Sequence, residues 1–129
     1  MRRLRLPKNK TLVLDVAIWA RQTDNVVCGC SKLLNDHDNM CCLGQFCHQL
    51  GVDKSLMRDR NLPDELEYAT IPLMVTKSSV NSFCSLAVGI NDDNSTDDFQ
   101  KIRKLQRLCR ENGIKLIVKN RDLAVKHTK

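Results

Sequence analysis

Residues 39–52, NMCCLGQFCHQLGV, have the apolar spacing of an amphipathic helix. Their apolar side chains recur at i, i+3, i+4 and i+7 and so share one face: Leu43, Phe46, Cys47 and Leu50. We expect a helix that begins near Met40, with Asn39 as its N-cap. Gly51 occupies the position after the last turn, where a left-handed residue commonly ends a helix.

Near both ends of the chain the apolar spacing changes to a period of two, which is typical of β-strands. Residues 11–21, TLVLDVAIWAR, have an apolar residue at every even position. Residues 114–118 alternate in the same way, and Lys115 and Lys119 on the opposite face suit an edge strand. The sequence therefore predicts one strand before the helix and one strand close to the C-terminal end.

Two further helices are predicted between these strands. The second helix begins after Ser78 or Ser79, and the third covers 96–111 with Ser95 and Asp98 as its capping box. The inward side chains of these helices are Phe83, Cys84, Ala87, Phe99, Ile102, Leu105 and Cys109. The order of elements predicts an α/β (α+β) fold, with a small mixed or antiparallel sheet and about three helices packed on one face.

The length of 129 residues predicts a single domain, 1–129, with a basic N-terminal arm at 1–10 and a flexible basic tail at 120–129. The chain shows neither a secretory signal nor an apolar run long enough to cross a bilayer. We therefore expect a soluble intracellular protein with no membrane partner. Formation of a homo-oligomer is compatible with the sequence.

Charge is distributed unevenly along the chain. The net charge is +6, but residues 1–10 carry +5, residues 101–129 carry +8, and residues 11–100 sum to −7. Basic ends suit a polyanionic partner such as a nucleotide, a nucleic acid or an acidic protein. The alternative is that these charges only solvate the surface. Within the third helix, Arg103, Arg107 and Arg110 form one basic stripe, and Lys101 and Lys104 form another.

The seven cysteines allow three interpretations. An odd number of cysteines excludes a complete set of intramolecular disulfides. Their spacing lacks the paired Cys-x-x-Cys units of a structural zinc site, so we predict neither a metal nor a cofactor. Cys41 and Cys42 in the first turn of a helix could form a stabilised thiolate, which is the basis of a cysteine enzyme. The favoured interpretation is that Cys42 and Cys47 pack in the core and that Gly44 permits close approach of another element.

Asp92 and Asp93 form an acidic pair, followed closely by Asp97 and Asp98. Paired carboxylates could hold the divalent metal of a nuclease. The alternative is that these acids complement the positive N-terminal end of the third helix. We favour this alternative and assign no catalytic residue, although Asp92 and Asp93 remain candidate ligand-binding residues.

The predicted N-terminus of the first helix is the best candidate for an anion-binding site. Its first turn contains no acid, so its unpaired N–H groups are expected to be available to a phosphate. Cys41 and Cys42 lie at this end of the helix. Arg21, at the far end of the first strand, and Lys32, in the preceding loop, are the basic residues expected to complete the site.

The motifs NMCCLG (39–44) and INDD (90–93), placed between a first strand and a final helix and strand, resemble a family of short accessory proteins of tailed bacteriophages. The resemblance covers roughly residues 12–119 by the order of elements. It implies an accessory viral protein made in the cytoplasm of an infected bacterial host, but it assigns no activity. We expect a non-enzymatic protein that binds a host bacterial protein or a small, nucleotide-like anion, and interference with a bacterial defence pathway is one version of this expectation. A small enzyme and a DNA- or RNA-binding regulator are the alternatives.

Overall fold

A computed structural model of the chain describes residues 8–21, 33–34, 38–58, 83–93 and 95–126. These ranges contain two strands, β1 (Thr11–Asp15) and β2 (Lys115–Lys119), and four α-helices: α1 (Cys42–Gln49), α2 (Lys54–Met57), α3 (Phe83–Asn91) and α4 (Asp98–Glu111). Short 3-10 helices follow each strand, at Val16–Ile18 and Arg121–Leu123. The described residues thus have one helix more than predicted, because Lys54–Met57 forms an additional single turn.

The sheet of the described residues has two parallel strands, so the prediction of a mixed or antiparallel sheet was wrong. Thr11 pairs with Lys115 and Asp15 with Lys119 at the two ends of the register. Parallel pairing requires a long crossover, and the many residues between the strands provide it. Alternating side chains from both strands enter the core from one face: Leu12, Leu14 and Leu116.

The predicted strand at 11–21 ends earlier, at Asp15, because the side chain of Asp15 accepts the backbone N–H of Ala17 at 3.0 Å and begins a 3-10 turn. The turn shifts the phase of the chain, so Trp19, at an odd position, is buried instead of Ala20. Backbone hydrogen bonds then join Met40 to Ile18 and to Ala20 at 2.8 Å each.

This bridge fixes where α1 begins. Met40 is held in extended pairing, so the helix starts at Cys42 with Cys41 as its N-cap, and the prediction of Asn39 as the N-cap was wrong. The predicted C-terminal end is confirmed, since Gly51 has a φ of 108°. The predicted close approach at Gly44 is also confirmed: an added Cβ would lie 1.9 Å from the carbonyl oxygen of Leu33.

The long helix α4 has the predicted position but a different cap. Asp97 is the N-cap and forms a capping box with Gln100, in place of the predicted pair of Ser95 and Asp98. Asp98 is fully buried, and its side chain is bonded elsewhere. After the helix, Gly113 has a φ of 75° and turns the chain into β2.

Within the described residues, the chain after β2 returns to the start of α4. The backbone N–H of Val125 donates to the carboxylate of Asp98 at 2.7 Å, and the backbone N–H of Asp98 donates to the carbonyl oxygen of Val125 at 3.0 Å. At the other end, Lys10 of the predicted basic arm accepts the N–H of Lys115 at 2.9 Å. None of the helices in the described ranges is long and apolar enough to span a membrane.

Candidate functional site

The N-terminus of α1 is buried and two of its N–H groups are bonded within the protein, which argues against the anion site predicted there. The N–H of Cys42 donates to Asn91 Oδ1 at 3.0 Å, and the N–H of Gly44 donates to Cys41 Sγ at 3.4 Å. The helix is buried from its N-cap through Cys47. The N–H donors that the sequence analysis left for a ligand are therefore partly occupied and covered by other parts of the protein.

Asn91 joins three segments around this helix end, although the sequence analysis gave it no role. Its Oδ1 accepts the indole N–H of Trp19 at 2.7 Å as well as the N–H of Cys42. Its Nδ2 donates to the carbonyl oxygen of Ala20 at 3.0 Å and to Asp92 Oδ1 at 2.9 Å. The only sequence signal was a polar residue at the end of an apolar helix.

Arg21, predicted to bind an anionic ligand, is used within the protein. Its Nε and Nη2 atoms donate to the two carboxylate oxygens of Asp98 at 3.1 and 2.7 Å. Its Nη1 donates to the carbonyl oxygen of Trp19 at 2.8 Å, and its guanidinium lies 4.9 Å from the centre of the Trp19 ring. This bidentate pair neutralises a buried carboxylate, so Arg21 is not available to a phosphate. Lys32 lies outside the described residues.

The thiols predicted for a reactive site belong to the core. The five described cysteines are all buried thiols outside any disulfide: Cys41, Cys42, Cys47, Cys84 and Cys109. Burial raises the pKa of Cys42 and of Cys47 well above the ordinary value for a thiol, and it raises the pKa of Cys109 to about 11. A nucleophilic cysteine requires the opposite shift. The expectation of a stabilised thiolate at Cys42 was therefore wrong, and the core interpretation is correct for these residues.

The acidic pair forms part of a turn. Asp93 accepts the N–H and the hydroxyl of Ser95 at 3.0 and 2.6 Å, and these bonds lower the pKa of its carboxyl. Asp92 accepts from Asn91. Lys101 is buried rather than part of a surface stripe, and its Nζ donates to the carbonyl oxygens of Asp93 and Ile90. Within the described ranges, no three His, Cys, Asp or Glu residues cluster as a metal site would require.

A basic groove lies between α4 and β2, on the side of β2 away from β1. We define it by the residues that line it: Gln106, Arg110, Gly113, Ile114, Lys115 and Leu116. Its volume is about 510 Å³. A tight connection joins the helix to the strand beside the groove, and in it the N–H of Ile114 donates to the carbonyl oxygen of Cys109 at 2.8 Å. Gln106 crosses the groove and donates to the carbonyl oxygen of Leu116 at 3.4 Å.

The charge of this groove is positive and uncompensated. Arg103 and Arg110 are two turns apart on α4, on the same side of the helix as Gln106, and both are exposed. Lys115 is exposed on the strand. None of these three side chains has an ion pair with an acid in the part of the chain that the structure describes. The groove therefore presents donors for carboxylate or phosphate oxygens.

A second cavity of about 240 Å³ lies at the opposite edge of the sheet. Its polar lining is mostly occupied, because Gln49 bonds to the backbone of Val13 and Gln45 bonds to that of Asp15. Apart from these groups, it has His48 and Lys119. It offers fewer free polar groups than the basic groove, and we regard the basic groove as the candidate site.

The basic stripe of Arg103, Arg107 and Arg110 was visible in the sequence, but its position beside a sheet edge was not. Comparisons with protein-family models, curated proteins and solved structures found no match to this chain. The functional proposal therefore depends on the chemistry of the basic groove and on the sequence patterns.

Proposed function

We propose that this protein is a non-enzymatic binding protein that captures an anionic partner in the basic groove. One observation supports the proposal above all: Arg110 and Lys115 line the groove, Arg103 lies two turns before Arg110 on the same side of α4, and none of the three forms an ion pair with an acidic side chain of the described residues. Two cations outside the groove are paired with acids, Arg21 with Asp98 and Arg58 with Asp38.

The chemistry of the side chains favours oxygen anions. An arginine guanidinium can donate two parallel hydrogen bonds to a carboxylate or a phosphate, and the lysine adds a third positive group. Because the groove is open to water, each contact contributes little by itself. Several contacts acting together on one multivalent anion provide the binding energy, which decreases as the salt concentration rises.

The biological setting we propose comes from the resemblance to phage accessory proteins. The protein would act in the cytoplasm of an infected bacterium and withdraw a host component or a nucleotide-like signal from a defence pathway. An enzyme built on Cys41 or Cys42 is less favoured, because both thiols are buried and the pKa of Cys42 is raised. DNA or RNA binding is the second candidate, and the stripe of Arg103, Arg107 and Arg110 on one exposed helix favours it.

Calorimetric titration tests the proposal with three probes: pyrophosphate, ATP and a short Glu-rich peptide. At an ionic strength of about 0.15 M, we expect at least one probe to bind. The double variant Arg110→Glu/Lys115→Glu should weaken that binding at least about tenfold, since it replaces two attractions by repulsions. Lys126→Glu is the matched control, because it makes a charge reversal on an exposed residue outside the groove.

Two results would contradict the proposal. One is that none of the three probes binds. The other is that Lys126→Glu weakens binding as much as the double variant does, because binding would then depend on overall charge and not on the groove. A duplex DNA oligonucleotide that binds while the three probes do not, with a steep dependence on salt, would favour the nucleic-acid alternative.

A further inference from the structure

The floor of the basic groove is a strand edge. Successive residues of a strand direct their backbone N–H and C=O groups to opposite sides. The N–H of Lys115 donates to Lys10 on the β1 side, so Lys115, Ile117 and Lys119 are directed toward β1. The backbone groups of Leu116 and Val118 therefore point away from β1. The bond from Gln106 to the carbonyl oxygen of Leu116 agrees with this direction.

The two outer edges of the sheet differ in their hydrogen-bond partners. On β1, the side-chain amides of Gln45 and Gln49 bond to the N–H and C=O of Asp15 and Val13, at 2.6 to 3.1 Å, and replace a neighbouring strand. On β2, within the described ranges, the N–H of Leu116 and both backbone groups of Val118 have no such partner. An open strand edge is a template for pairing with another extended chain.

The positive charge beside the outer edge of β2 indicates which kind of extended chain can pair with it. Arg110 borders the edge on the α4 side, and Lys115 and Lys119 project from the opposite face of the sheet. Two copies of this chain joined edge to edge would bring these cations together, and like charges placed opposite each other destabilise pairing. An extended segment with acidic side chains would instead meet a cation on each face. Ile117, 45% exposed, lies between the two lysines and offers an apolar contact.

We propose that the outer edge of β2 binds an acidic, extended peptide segment of a partner protein as a third strand of the sheet. The backbone of the segment pairs with Leu116 and Val118, and its carboxylates contact Arg110 on one face and Lys115 on the other. This mode of recognition combines main-chain hydrogen bonds with side-chain contacts at alternate positions. The inference rests on the proposed function and specifies the class of the anionic partner.

The test compares two peptides by calorimetry with the full chain. The first, Glu-Glu-Thr-Glu-Glu, matches β2 in length and places carboxylates on both faces of an extended strand, and the second is identical except that every backbone nitrogen carries a methyl group. Both have the same carboxylates, but the methylated peptide has no backbone donors. We expect the unmethylated peptide to bind at least about tenfold more tightly, and its binding to slow the hydrogen exchange of the Val118 amide.

A variant of the protein gives a second, independent measurement. Val118→Pro removes an outward N–H and should weaken binding of the unmethylated peptide at least about tenfold. Because a proline can also disturb β2, circular dichroism and the urea midpoint are measured in parallel. If the variant does not fold, the two peptides still decide the question on the parent chain.

The outcomes separate this inference from the proposed function. Equal binding of the two peptides, or binding of pyrophosphate or ATP without either peptide, overturns strand addition but leaves anion capture in the groove. A stable dimer of the free protein in sedimentation, with its Val118 amide protected, also overturns the inference, because a second copy would then occupy the edge. If none of the anions binds, both proposals fail.

Discussion

Removal of the Asn91 side chain tests how the core of this fold is connected. In Asn91→Ala, the indole N–H of Trp19 and the N–H of Cys42 lose their acceptor, and the carbonyl oxygen of Ala20 loses its donor. The first two groups are buried. A buried polar group left without a partner costs about 1–3 kcal/mol, and a partly exposed one costs less. We therefore expect a loss of about 3–6 kcal/mol in the free energy of unfolding.

Urea unfolding followed by the fluorescence of Trp19, the single tryptophan, measures this loss at the site itself. With a slope of about 2 kcal/mol per molar urea, a loss of 4 kcal/mol lowers the midpoint by roughly 2 M. Such a loss is a large part of the about 5–15 kcal/mol that stabilises a typical domain.

Asn112→Ala is the matched control for this substitution. Asn112 is exposed at the end of α4, and its amide makes one bond, to the carbonyl oxygen of Leu108 at 2.9 Å. We expect it to cost less than about 1 kcal/mol. If Asn91→Ala unfolds within about 1 kcal/mol of the parent chain, Asn91 does not connect the segment of Trp19 and Ala20 with α1 and α3.

Two further predictions concern the core. Gly44→Ala places a Cβ against the backbone of Leu33, so it should lower the free energy of unfolding by at least about 2 kcal/mol. Gly89→Ala is the control: because the space around Gly89 in α3 is open, this change should be neutral or stabilising by up to about 1 kcal/mol. Equal urea midpoints for the two variants would contradict the close packing of Gly44 against Leu33. Burial raises the pKa of the Cys109 thiol from 9.0 to about 11. Between these two pH values the folded protein keeps the thiol proton, whereas the unfolded chain loses it. The stability that the neutral thiol contributes is therefore complete below pH 9 and is lost between pH 9 and 11, by roughly 2–3 kcal/mol. Urea titrations across this pH range should show a shallower loss for Cys109→Ala, and identical slopes for the two proteins would refute the assignment.

Local sequence patterns predicted the elements better than the contacts between them. The position of α4 was predictable, because its apolar residues repeat over four turns and Gly113 marks its end. The alternation of 114–118 identified β2 in the same way. The direction of pairing was not predictable, because a strand shows the same alternation in parallel and antiparallel sheets.

The predicted end of β1 and the predicted start of α1 were wrong, because a side-chain cap and a long-range pairing set these boundaries. Asp15 ends β1 by capping a 3-10 turn, although the apolar period of two continues beyond it. Pairing of Met40 with the chain beyond that turn then moves the start of α1 to Cys42. Both effects depend on one side chain or on contacts distant in the sequence, so the periodicity of the sequence does not reveal them.

The candidate site could be predicted only in part, for the same reason. The anion site expected at α1 was reasoned from local donors, but the acceptor of the Cys42 N–H is Asn91, 49 residues later. Likewise, Arg21 finds its carboxylate in Asp98, 77 residues away. The basic stripe on α4 was visible as a helical pattern, whereas the open edge of β2 beside it required the sheet topology.

The location of anion binding is tested most directly by backbone amide chemical shifts of the labelled protein during titration with the Glu-Glu-Thr-Glu-Glu peptide. We predict that the shifts concentrate at the amides of Gly113 to Val118 and at the side-chain N–H groups of Arg110. The amides of Cys42 to Gly44 and the side chain of Arg21 should stay unchanged, because they are bonded inside the protein. Shifts centred on Cys42 to Gly44, with none along β2, would contradict the account and return the anion site to the N-terminus of α1.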